Sequence, residues 1–204
     1  AVSIPRDHIG EYKNNPETTQ TQGDSTFKLN INSTTQEERE SIFGKNGTNP
    51  NGGSTYNVKP LMSNDNFLNA LSFAIDRETF AAARGNIPSQ SYFAPAYLWE
   101  PEKGLSYDET KQHAAAIADY SPETYGYSVD VAVKLFDKAI TEEINKGNYT
   151  GYNDSEEIKI SWMNTTDPKE YGDEIIEYFN KAFQRTEAYK KGFRINFTQD
   201  GGST

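Results

Sequence analysis

The chain has 204 residues, 20 basic and 30 acidic, for a net charge of −10. That length is enough for one ordinary domain with a real core, and the acidic balance argues against nucleic acid or an anionic membrane as the main partner. The absence of cysteine excludes disulfides, thiolate metal sites and a Cys nucleophile.

Hydrophobic content is low at 34%, yet 13 Tyr and 11 Phe are too many for a disordered segment. The composition therefore predicts a folded domain with long polar loops. Pro5 can open a helix at its first turn, which predicts a short helix near 5–14 that Pro16 ends. Thr26–Asn32 alternates, with Phe27, Leu29 and Ile31 on one side and Lys28, Asn30 and Asn32 on the other, the pattern of a half-buried strand. Residues 44–55 are rich in Gly, Asn, Thr and Pro and read as a long loop.

Two consecutive helices follow near 64–75 and 77–84, joined at Ile75-Asp76-Arg77, with Asp76 as N-cap of the second and Gly85-Asn86 as its stop. Residues 86–107 hold three prolines among Tyr92, Phe93, Tyr97, Trp99 and Tyr107, an irregular aromatic surface segment. Helices are predicted over 108–119 and 128–146, the latter with Val129, Ala132, Val133, Leu135, Phe136, Ala139 and Ile140 on one stripe. Residues 147–155 are polar loop. Glu157–Met163 alternates as a strand, Asp167-Pro168 starts a helix with the apolar face Ile175, Ile176, Phe179, Ala182 and Phe183, and Phe193–Phe197 is a second strand after Gly192. Strand, long helix and strand read as a βαβ unit with parallel strands. The fold class is therefore α/β, a mixed sheet with flanking helices, in a single domain over 1–204.

Motifs for chemistry are sparse. His8 and His113 lack metal spacing, no nucleotide-binding or nucleophile-elbow pattern occurs, and carboxylate pairs such as Glu142-Glu143 and Glu156-Glu157 read as solvated faces. No catalytic residue, metal or cofactor is expected. No apolar run approaches the roughly 20 residues of a membrane span. With neither a secretion signal nor an initiating Met, the chain reads as an excised domain.

Ala70, Leu71, Ala74, Ile75, Asp76 and Arg77 match the A-L-x-x-A-I-D-R signature of the oligopeptide/dipeptide-binding proteins of ABC transporters, which this chain resembles. The family usually has Arg where this chain has Leu68. Further landmarks match in the same order: Ile4-Pro5, Ile31-Asn32, the Gly85, Pro88, Pro95 connection, Tyr127 with Ala132, Leu135, Phe136 and Ala139, and the strand–helix–strand at 157–198. Long stretches near 33–58, 100–126 and 140–155 depart from shorter members and are similar to expanded versions in Gram-positive bacteria.

The resemblance implies one lobe of a two-lobed periplasmic-binding-protein type II fold, in an extracytoplasmic solute receptor that captures oligopeptides and delivers them to an ABC permease. Its location would be the Gram-positive cell surface or the periplasm, with a lipid anchor outside this chain as the only membrane attachment. Extended peptides are held in such receptors between two hinged lobes. The implied ligand contacts are Lys28, Asn30 and Asn32 on the strand near the cleft, with Tyr92, Phe93 and Tyr97 as pocket lining. The strand surface can equally face solvent, and the aromatics can equally pack over the core. The family's acidic anchor for the peptide amino terminus lies downstream of the second strand, and Asp167-Pro168 is not that motif. This lobe alone is therefore expected to bind peptide weakly or not at all. The alternatives are a hydrolase or another ligand-sensing domain with an acidic cleft.

Overall fold

A computed structural model of the chain describes residues 4–5, 8–19, 26–44, 58–91, 93–118, 120, 122–161 and 169–200. Its contacts group into two compact units, Ala1–Leu29 with Asp76–Tyr127, and Asn30–Ile75 with Ser128–Thr204. The sequence reading expects a single domain over 1–204. The chain is mixed α/β, and its described strands form two separate two-stranded sheets rather than one mixed sheet.

The second unit is built on long amphipathic helices. Helix α3 (Asp65–Ala74) buries Phe67, Ala70, Leu71 and Ala74, and α6 (Val129–Asn145) buries Ala132, Phe136, Ala139 and Ile140. Phe136 is the centre of this core: it packs edge-on against Phe67 at 5.3 Å and Phe183 at 6.0 Å. Burying such a ring stabilises the fold by about 1.5–3 kcal/mol through the water it releases. Helix α7 (Lys169–Phe183) turns Phe179 onto Phe197, centroids 5.3 Å apart.

The two strands of this unit, β3 (Ser155–Ser161) and β4 (Arg194–Asp200), pair in parallel as the βαβ pattern predicts, in register from Ser155↔Arg194 to Ser161↔Asp200. Ile158, Ile160, Ile195 and Phe197 are buried, while Glu157, Lys159 and Asn196 between them are exposed. One face of the pair is thus in the core and the other in water. The predicted helix after Pro168 is interrupted at 184–186. Thr186 then caps α8 (Glu187–Lys191), and the Asp137 carboxylate of α6 accepts from the Glu187 and Ala188 amides at 3.0 and 2.7 Å. Gly192 closes α8 with φ +119°, and a Cβ there would come within 3.2 Å of the Tyr152 carbonyl oxygen.

A polar joint ties α3 to the end of α6. The Asn64 side chain accepts from the amides of Asn66 and Phe67, capping α3, and its Nδ2 donates to Glu143 at 2.8 Å and Glu142 at 3.0 Å. Glu143 is 3% exposed and also receives Lys146 at 2.7 Å and Asn148 at 2.6 Å. Burial pushes its carboxyl up, but the hydrogen bonds from Lys146, Asn64 and Asn148 outweigh this and hold it below the usual range.

The first unit is made of shorter pieces. Helix α1 is Ile9–Tyr12, within the predicted 5–14, and α4 (Arg77–Ala82) is capped by Asp76, whose carboxylate accepts from the Thr79 amide at 3.0 Å. Gly85 ends that segment at φ +67°, where a Cβ would strike Ile9 Cδ1 at 2.6 Å. A small antiparallel hairpin, β1 (Leu98–Glu100) and β2 (Leu105–Ser106), comes next. The predicted 108–119 helix becomes a 3-10 turn at Tyr107–Glu109 and α5 (Lys111–Ala116).

Two differences from the sequence reading have a clear cause. Residues 26–32 alternate but form no strand: Phe27 is 81% exposed and Leu29 is also exposed. Alternation supplies a face, whereas a strand needs a partner ladder, and no described residue provides one. Helix α2 (Gln36–Phe43) lies within the stretch read as an insertion. Its signal is the capping box Thr35-x-x-Glu38, in which the Thr35 amide donates to Glu38 at 2.8 Å and the Glu38 amide to Thr35 Oγ1 at 3.2 Å. The Asp167-Pro168 helix start and most of the 44–55 loop lie outside the described residues.

Candidate functional site

The most distinctive surface of the first unit is aromatic. The hairpin pairs Leu98 with Ser106 and Glu100 with Leu105, with an irregularity between Leu98 and Glu100. Pro101–Lys103 and the left-handed Gly104 make its turn. Ser106 then anchors the 3-10 turn at Tyr107–Glu109. Its amide donates to Glu109 Oε2 at 3.0 Å, and its hydroxyl lies 2.6 Å from Asp108 Oδ1 and 2.7 Å from Glu109 Oε2. Thr110 donates to the Tyr107 carbonyl at 2.6 Å and accepts from the His113 amide at 3.1 Å, which caps α5.

These local bonds hold Tyr107 in place as a hub. Phe93, Trp99 and His113 each meet its ring edge-on, at centroid distances of 5.4, 5.8 and 5.5 Å. His113 is buried. Phe93 and Trp99 are not: they are 53% and 58% exposed, and Tyr97 is 61% exposed. Three large aromatic side chains kept in water on one short segment are unusual for a folded chain, and such patches mark interaction sites. Edge-to-face packing holds Phe93 and Trp99 at the hub with much of their surface still in water. The arrangement can stack on a planar or cationic group and can bury an apolar side chain.

The expected ligand residues fall unevenly. Phe93 and Tyr97 are in this patch, and Tyr92 lies outside the described residues. Lys28 is exposed in the first unit, and Asn30 and Asn32 are exposed in the second. The polar trio is therefore not carried on one strand. Asn32 Oδ1 accepts from the Thr34 amide at 3.2 Å, a local turn leading into α2. Trp99 and Tyr107 belong to the patch although neither is among the expected contacts. Their signal is the short hairpin pattern Leu98-Trp99-Glu100 … Leu105-Ser106 around Pro101 and Gly104.

Elsewhere the polar clusters serve structure. Glu143 and its partners are satisfied within the α3–α6 joint. The Tyr149 hydroxyl donates to Glu156 Oε2 at 2.8 Å, and burial followed by this carboxylate drives its ionisation far upward, so it stays neutral. Lys59 completes that group at 2.7 Å from Glu156. An open depression of about 440 Å³ runs along the exposed side of α7 between Asp173 and Gln184. Among the described residues no three His, Cys, Asp or Glu side chains converge to hold a metal ion, and no helix is long and apolar enough to cross a membrane. Comparison with family models, curated proteins and solved structures finds no match for this chain.

Proposed function

We propose that this chain is one lobe of an extracytoplasmic solute-binding protein, of the periplasmic-binding-protein type II fold, that captures oligopeptides for an ABC importer. It performs no chemical step; its work is capture, lobe closure and docking on the permease. The observation that carries the reading is the form taken by the A-L-x-x-A-I-D-R stretch. Ala70, Leu71 and Ala74 are the buried face of α3, Ile75 and Asp76 leave the helix, and Asp76 caps α4. Arg77 reaches from that helix to the Tyr125 carbonyl at 3.2 Å. Ala70, Leu71, Ala74, Asp76 and Arg77 thus each have a structural task that depends on their chemistry. The parallel strand–helix–strand at 155–200 supports the same reading. The exposed aromatics Phe93 and Tyr97 are the ligand-facing residues in this reading.

The test is calorimetric titration of a pool of short peptides into the complete receptor, this chain together with its second lobe, and into the 204-residue chain alone. The complete receptor is expected to bind at micromolar concentration or tighter, and the single lobe only at millimolar. A micromolar affinity of the single lobe, or no peptide binding by the complete protein, would overturn the reading.

A further inference from the structure

Resting on that reading, the surface chemistry names the class of peptide. Between residues 93 and 113 the carboxylates Glu100, Glu102, Asp108 and Glu109 outnumber the cations Lys103 and Lys111. Glu100 is paired with Lys103 across the hairpin turn. Asp108 and Glu109, by contrast, both close on Ser106 Oγ. Glu109 also accepts from the Ser106 amide at 3.0 Å, so both carboxylates are held on the turn that carries Tyr107. Negative charge is therefore concentrated beside Tyr107, the ring against which Phe93 and Trp99 pack.

Exposed aromatic rings packed on Tyr107, with two carboxylates on the same turn as Tyr107, favour one kind of group. A guanidinium is planar, stacks on aromatic rings and binds carboxylates through two parallel N–H bonds. An ammonium keeps its hydration shell and stacks less well. A neutral or acidic side chain gains nothing from the carboxylates. We infer that the Phe93–Trp99–Tyr107 surface with its Asp108–Glu109 rim docks an arginine side chain of a peptide ligand.

Trp99 is one of two tryptophans, so a Trp162→Phe variant of the 204-residue chain makes its emission a local reporter. Triarginine, trilysine, trialanine and triglutamate are titrated at low salt, with total binding followed by calorimetry. Triarginine is expected to shift Trp99 emission with a Kd of about 1 mM, the weak range of a single anchored contact. Trilysine should bind several-fold more weakly, trialanine about tenfold more weakly, and triglutamate not at all. Asp108→Asn with Glu109→Gln, which keeps the polar caps, should weaken triarginine about tenfold. Phe93→Ala should weaken it several-fold.

Equal binding of triarginine and trialanine at Trp99 would sink the arginine preference while leaving a peptide surface in place. Triarginine binding unchanged in the Asp108/Glu109 variant would also overturn it, since the attraction would then come from the overall charge. Heat of binding without a Trp99 response, or no binding up to 10 mM, removes this surface as the docking site. The receptor reading stands or falls separately on the complete protein.

Discussion

The two units use their aromatic residues in opposite ways. In the second unit Phe67, Phe136, Phe179, Phe183 and Phe193 are all sealed from water. In the first, Phe93, Tyr97 and Trp99 are more than half exposed, and the buried apolar side chains in the described part of its 76–127 stretch are alanines, Ala81 and Ala94. Element length is the cause. Helices of 10, 17 and 15 residues present several turns of one apolar stripe to each other. Helices of four and six residues present one turn or two, which cannot enclose a large ring. The same residue type is core where a long element backs it and surface where none does.

The largest test of this contrast is Phe136→Ala. Deleting a ring with no exposure and two aromatic neighbours should destabilise the second unit by about 3–5 kcal/mol in denaturant unfolding. A loss below about 1 kcal/mol would mean that this core is not the tight one described.

Glu143→Ala comes next, at about 2 kcal/mol, because it removes the buried acceptor of Asn64, which keeps only Glu142, while the exposed Lys146 and Asn148 turn to water. The same residue sets a pH dependence. Its folded-state carboxyl titrates below the ordinary Glu value. The stability it contributes is therefore fully present above the unfolded value, about 4.3, and is lost as pH falls from there through the lower folded value. A series of urea melts on acidification should show this decline in the wild type and a flatter one in Glu143→Gln. Identical slopes would remove the residue from the acid response.

In the first unit effects should be smaller. Asp76→Ala removes the α4 cap and should cost about 1 kcal/mol, measurable as faster amide exchange over 77–82. No change in exchange there would show that α4 does not depend on its cap. Smallest of all is Trp99→Ala, expected within about 0.5 kcal/mol of the wild type because its ring is largely in water already. A loss comparable to that of Phe136→Ala would break the comparison outright.

Legibility divides along the same line. The stripes of α6 and α7 and the parallel pairing of β3 with β4 can be read directly, because helical period and connection length are local properties. The Asp76 cap and the Thr35–Glu38 box are equally local, although the second lies inside a stretch that the resemblance marks as insertion. Of the candidate site, Phe93 and Tyr97 are legible from aromatic density alone. Trp99 and Tyr107 lie in the same aromatic segment, but the meeting of Phe93, Trp99 and His113 on Tyr107 is set by the fold, and no spacing rule encodes it.

The sequence by itself determined the apolar faces of α6 and α7, the start of α4 at Asp76, and that 157–198 holds a parallel strand–helix–strand. Only the tertiary structure decided that Phe27, Leu29 and Ile31 make no ladder, that Glu143 is buried in a satisfied network rather than solvated, and that Phe93, Trp99 and His113 meet on Tyr107. Those outcomes depend on which distant residues come alongside. A strand exists only with its neighbour, a buried charge only with its donors, and a ring cluster only where the fold brings its rings together.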